Sequence, residues 1–166
     1  MSDKTLSDKA LSGKSLSGKK KFSLLKPTLD TPYHIDFDWW QNNERNWRVH
    51  LRSLMCAEHR EVFTTWEGGD MIDWVDPSTA EVKVVDGMQH TLMTHCALLP
   101  DFLTERTALV ESVFRLFLIN GNKPMTISEV AEKLNRPGNT ILRTLTGARV
   151  YRGLRPAAHN HTRAIS

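Results

Sequence analysis

Thr126-Ile-Ser-Glu-Val-Ala-Glu-Lys-Leu-Asn-Arg-Pro-Gly-Asn-Thr-Ile-Leu-Arg-Thr-Leu-Thr-Gly-Ala-Arg-Val-Tyr-Arg-Gly-Leu-Arg-Pro156 is the stretch on which the fold turns. Thr126 and Glu129 have the Thr-x-x-Glu spacing of a capping box, which marks a helix start. Ile127, Val130, Ala131 and Leu134 recur at three- and four-residue steps, so that helix has one apolar side. Asn135-Arg-Pro-Gly138 breaks it, because Pro137 lacks an N–H and disfavours helix at Arg136. A second helix follows from about Asn139 to Thr146. Ile141 and Leu145 point inward, while Asn139, Thr140, Arg143 and Thr144 face out, and Gly147 is placed to stop it.

The order Ser128-Glu129-Val130-Ala131-x-x-Leu134, a turn, then Thr140-Ile141-Leu142-Arg143-Thr144-Leu145 resembles the helix-turn-helix of winged-helix DNA-binding domains. In that family the first helix braces the second, and the second enters the major groove. The resemblance covers about a quarter of the chain. It implies that Asn139, Thr140, Arg143 and Thr144 face DNA. It also implies that Arg149, Tyr151, Arg152 and Arg155 lie on the wing or its approach. Leu142 stands where the family usually has a small polar residue, and the segment after Gly147 is short for two wing strands. An apolar residue on that face is the mark of a helix that docks on protein or RNA instead.

The chain has 166 residues, 40% of them apolar, with five tryptophans and six phenylalanines, enough for a packed core. No run of eighteen apolar residues and no apolar segment behind the N-terminal lysines is present, so neither a membrane span nor a secretory signal is expected. Two cysteines do not make a disulfide framework, which points to a cytoplasmic setting, nucleoid-associated if the cell is bacterial.

The net charge of +3 is unevenly spread. Residues 1–26 carry seven lysines against two aspartates, a balance of +5. Residues 27–120 carry seven basic and fifteen acidic side chains, a balance of −8. Residues 121–166 carry eight basic side chains against two glutamates, a balance of +6. Positive ends predict contact with a polyanion, DNA before RNA, and the acidic middle predicts a protein partner. The alternative is that the ends merely neutralise the middle.

Residues 4–21 repeat a pentad of the form Lys-x-Leu-Ser-Asp/Gly and end in Lys19-Lys20-Lys21. A period of five builds no helix or strand face, and the composition predicts a disordered basic arm that tracks phosphates or acts as a solubilising tail. Residues 22–36 read as an extended connection. A helix is expected from about Phe37 to Met55, with Trp40, Trp47, Leu51 and Leu54 on one stripe; core is favoured over a Trp39-Trp40 base-stacking platform. Met71–Val75 and Val82–Val85 read as a hairpin about Asp76-Pro-Ser-Thr-Ala80. Residues 88–98 read as a short helix, and Thr104–Asn120 as a long one with a broad apolar face. The expected fold is α+β and mostly helical. A small helical and β-hairpin domain (27–102) precedes a winged-helix-like domain (103–157), flanked by the arm (1–26) and a tail (158–166).

Cys56-x-x-His59 has zinc-knuckle spacing, and His95-Cys96 supplies a second thiolate and imidazole, a set that suits a closed structural zinc site. His90 is an alternative to His95, and ordinary core cysteines are the alternative to zinc. His59-Arg-Glu61 has the spacing of zinc deaminases, but their Pro-Cys-x-x-Cys partner is missing. No Gly-rich phosphate loop, His-Glu-x-x-His or G-x-S-x-G elbow occurs, and Asp36/Asp38 and Asp70/Asp73 read as a cap and solvated side chains. The chain is therefore expected to be a DNA-binding protein rather than an enzyme, or alternatively an accessory subunit of a ribosome, polymerase or other nucleoprotein assembly.

Overall fold

The computed structural model describes residues 26–64, 71–147 and 149–157. The lysine arm, including Lys19, Lys20 and Lys21, and the expected tail from residue 158 lie outside the described residues. The chain is α+β. In order it forms β1 (Pro32–Ile35), α1 (Phe37–Asn43), α2 (Trp47–Ser53), α3 (Ala57–Val62), β2 (Met71–Val75) and β3 (Val82–Asp86). Then follow α4 (Gly87–Thr94), a 3-10 turn (Cys96–Leu98), α5 (Leu109–Ile119), β4 (Met125–Thr126), α6 (Ile127–Leu134), α7 (Gly138–Leu145) and β5 (Leu154–Pro156).

The capping box forms in both directions: the Glu129 N–H donates to Thr126 Oγ1 at 3.1 Å, and the Thr126 N–H donates to Glu129 Oε1 at 2.8 Å. Asn135 ends α6 in the left-handed region, at φ 54°. Val130 of α6 and Ile141 of α7 are fully buried, so the two helices pack through the apolar sides that their spacing predicts.

Where long helices were expected, side chains interrupt them. The expected Phe37–Met55 helix is two helices, α1 and α2, with Glu44 in an extended conformation between them. Asn42, Asn43 and Asn46 are poor helix formers, and Asn43 Nδ2 donates to the Trp39 carbonyl at 2.7 Å. The bend turns Trp47 edge-on to Trp40, ring centroids 5.8 Å apart. The expected Thr104–Asn120 helix starts only at Leu109. Upstream, the Thr104 N–H donates to Thr107 Oγ1 and the Arg106 N–H to Thr104 Oγ1, which holds the backbone in a turn. The expected helix over 88–98 runs from Gly87 to Thr94 and passes into the 3-10 turn.

The connection expected over 22–36 contains β1, the centre of a three-stranded sheet ordered β4-β1-β5. Tyr33 pairs with Met125 on one side and Pro156 on the other, both antiparallel. Asn122, at φ 60°, extends this pairing: the Ile35 N–H donates to Asn122 Oδ1, and Asn122 Nδ2 donates to the Ile35 carbonyl, each at 2.8 Å. Gly153 enters β5 at φ 81°, and a Cβ there would lie 2.9 Å from the Asp36 carbonyl oxygen, so only glycine fits. Two wing strands do not follow α7 among the described residues; β5 alone does, and β1 is its partner.

A single apolar core joins these parts. Trp40 and Phe114 are fully buried with ring centroids 5.4 Å apart, which links α1 to α5 across the expected boundary at 102/103. The hairpin β2–β3 pairs as expected, from Met71↔Asp86 to Val75↔Val82. Among the described residues no helix is long and apolar enough to cross a membrane.

Candidate metal centre and helix-turn-helix face

Two packed helices deliver the four metal-ligand candidates to one point. Leu51 of α2 and Leu92 of α4 are fully buried. Asp86 ties the pair together: it caps α4 by accepting from the Gln89 N–H at 3.0 Å, and it forms an ion pair with Arg48 of α2. Cys56 stands at the N-cap of α3, so His59 follows one helical turn later on the same side. At the far end of α4, His95 leaves helical geometry (φ −130°, ψ −66°) and turns Cys96 inward.

Cys56 Sγ lies 3.2 Å from His59 Nδ1, 3.5 Å from Cys96 Sγ and 4.0 Å from His95 Nδ1. Cys96 Sγ lies 3.7 Å from His59 Nδ1, and all four ligand atoms fall within 4.8 Å of one another. A tetrahedral zinc with bonds of about 2.3 Å to sulfur and 2.0–2.1 Å to nitrogen has edges of about 3.8 Å between sulfurs and 3.6 Å between sulfur and nitrogen. The four separations bracket those edges. The alternative ligand His90 instead meets the Trp74 ring, with centroids 5.7 Å apart. Burial pushes the Cys96 thiol up to about 11, whereas His95 is exposed. Cys56 and Cys96 also line an open cleft of about 310 Å³, whose polar wall includes Arg60, Asp101 and Arg115.

On α7, Ile141 and Leu145 are buried, while Asn139, Thr140, Arg143 and Thr144 are exposed. Thr144 Oγ1 donates to the Thr140 carbonyl at 2.9 Å, the ordinary resting place of a helical threonine. Leu142 is half-buried against the core. Arg149 is exposed.

The remaining carried-over positions are engaged within the protein. Tyr151 donates through its hydroxyl to Glu111 Oε1 at 2.7 Å; Arg152 reaches the same oxygen at 3.2 Å and also bonds the Tyr151 hydroxyl. Arg155 pairs with Asp36 at 2.9 Å, its guanidinium 5.5 Å from the Trp39 ring centre. Trp40 is buried, in line with the core reading, so Trp39-Trp40 offers no two-ring stacking face.

Sequence reasoning missed the polar cluster about Glu111. Burial acts to raise its carboxyl, but the Tyr151 hydrogen bond and the Arg115 ion pair outweigh this and hold it below its ordinary value. Burial, then the Glu111 carboxylate, push the Tyr151 phenol up. His50 is lowered to about 4 by burial and the Arg152 charge; its Nε2 is buried without a hydrogen-bond partner among the described residues. Glu111 and Arg115 sit four apart on one helix and are visible as a pair in the sequence. Tyr151 and Arg152 reach them only through tertiary folding.

No family model, curated protein or solved structure matches the chain.

Proposed function

We propose that the chain is a nucleic-acid-binding protein, DNA before RNA, in which α6 braces α7 and α7 enters the major groove as in winged-helix domains. The observation that carries this reading is the division of α7: Ile141 and Leu145 inward, with Asn139, Thr140, Arg143 and Thr144 exposed together. In this reading Arg143 and Arg149 supply charge, Thr140 and Thr144 reach the groove edge, and the lysine arm adds sequence-independent phosphate contacts. Tyr151, Arg152 and Arg155 then shape the approach to the helix, since their polar atoms already serve Glu111 and Asp36. The acidic middle recruits a protein. No catalytic step is assigned.

In the same proposal Cys56, His59, His95 and Cys96 hold a structural zinc. With four protein ligands it leaves no open position for chemistry. It fastens the start of α3 to the 3-10 turn, next to the Phe102–Arg115 contact that leads into α5; there Arg115 Nη1 donates to the Phe102 carbonyl at 2.6 Å. The protein- or RNA-docking alternative turns on Leu142, and its packing against the core supports the DNA reading over it.

The test is fluorescence anisotropy with random-sequence duplex across a salt series. Arg143→Ala is expected to weaken binding about tenfold at physiological salt. Replacing Lys19, Lys20 and Lys21 with glutamine is expected to flatten the salt slope while binding persists. Unchanged affinity in Arg143→Ala refutes the groove assignment.

A further inference from the structure

We propose that Cys56 and Cys96 form a thiol-oxidation site for small hydroperoxides, and that their oxidation to a disulfide releases the metal. This rests on the zinc reading above.

Three observations converge on it. The sulfurs already lie 3.5 Å apart, although their residues are forty positions apart in the chain and belong to different elements. A disulfide requires them to approach to about 2.05 Å, a movement of about 1.5 Å that side-chain rotation near contact can supply. Second, Cys56 and Cys96 both line the same open cleft of about 310 Å³, large enough to admit a peroxide. Third, the two thiols differ as an attacking and a resolving pair must. Cys56 is part-exposed and meets the oxidant, while Cys96 is buried behind it and needs to reach only Cys56.

The chemistry balances with a hydroperoxide as the two-electron oxidant. The Cys56 thiolate attacks one peroxide oxygen; the S–O bond forms, the O–O bond breaks, and the departing oxygen takes a proton to leave as water or an alcohol. Cys96 sulfur then attacks the sulfenic sulfur of Cys56. The S–S bond forms, the S–O bond breaks, and the hydroxyl leaves as water with a second proton. Each sulfur loses one electron and the peroxide gains two. A disulfide sulfur is a poor zinc ligand, so His59 and His95 remain as a two-ligand remnant that cannot close a tetrahedral site. Dithiol reductants reverse the step and restore the four-ligand set.

The experiment uses the full chain loaded with one equivalent of zinc. Bound zinc is measured first, and hydrogen peroxide is then added with a chromogenic chelator present. Both thiols are counted, and the oxidised chain is digested for mass analysis. The expected result is release of the bound zinc in step with loss of both thiols, a linked Cys56–Cys96 peptide pair, and recovery of the site by dithiothreitol and zinc. In Cys96→Ser the Cys56 sulfenic acid has no resolving thiol and is expected to accumulate as a dimedone adduct. A zinc-loaded chain that keeps its metal under peroxide overturns the proposal, as does zinc release with sulfinic acids and no linked peptides. Absence of bound zinc before peroxide is added overturns the metal reading itself, at an earlier and separate step.

Discussion

Asn122 is the side chain whose removal best tests how the central sheet is held. Its amide bonds both the N–H and the carbonyl of Ile35 at 2.8 Å, and Ile35 is 1% exposed. In Asn122→Ala both backbone groups lose their partner. A buried unsatisfied group costs about 1–3 kcal/mol, and alanine at φ 60° adds about 1 kcal/mol of strain relative to asparagine. Some relaxation of the loop is expected, so the net loss is about 3 kcal/mol. With a urea m-value of about 2 kcal/mol/M, the unfolding midpoint falls by about 1.5 M. Two companions separate the terms. Asn122→Gly loses the bonds but not the conformational ease, and is expected to recover about 1 kcal/mol relative to alanine. Asn122→Asp keeps an acceptor for the Ile35 N–H but presents no donor to the carbonyl, and falls between wild type and alanine. A midpoint shift below about 0.3 M in Asn122→Ala, with unchanged m, would refute the account of the amide as a third partner of β1.

Gly153→Ala places a Cβ 2.9 Å from the Asp36 carbonyl in a left-handed backbone, and about 2–3 kcal/mol of destabilisation is expected by urea denaturation. The His50 imidazole is lowered to about 4 by burial and Arg152, opposed by Glu111 and Glu44 and reinforced by Arg115. The unfolded chain therefore takes up the proton first. The stabilising preference for neutral His50 is fully present above about pH 6.5 and is lost as pH falls from there toward 4, by about 1–2 kcal/mol once partial solvent screening is allowed for. His50→Gln is expected to flatten that segment of the stability–pH curve. If the proposed zinc is bound, its chelation by excess EDTA is expected to lower Tm by about 5–10 °C, as for a ligand near a hundred times its Kd. His59→Ala is expected to have a lower Tm that no longer responds to EDTA.

The sequence announces α6, α7 and the hairpin because their signals are local. Thr126 and Glu129 stand three apart, Pro137 and Gly138 punctuate, and Asp76 collects Ser78 and Thr79 into the hairpin turn within three residues. The metal-ligand candidates are half legible: Cys56-x-x-His59 has recognised spacing, whereas the approach of His95-Cys96 depends on the packing of α2 on α4. β1 was hidden because Pro32-Tyr-His-Ile35 is too short for a periodicity, and its partners are more than eighty residues away. Separation in sequence also hid the duties of Tyr151 and Arg152, 40 and 41 residues from Glu111, and of Arg155, 119 residues from Asp36. An arginine beside a helix-turn-helix looks available in sequence until Glu111 and Asp36 are brought to meet it. Long helices were overdrawn where asparagine and threonine side chains took up backbone bonds, a competition that apolar spacing does not register.

The place of β1 between β4 and β5 also orders events in time during synthesis. Asp36, at the exit of β1, is 119 residues from its partner Arg155. At about 5–20 residues per second, a ribosome needs some 6–24 s to make that intervening chain. The centre strand waits with both edges unpaired until β4 is made, and its β5 edge stays open until α6 and α7 have followed. Pro32, with no N–H to offer, and the shortness of the strand make it a poor template for another chain during the wait.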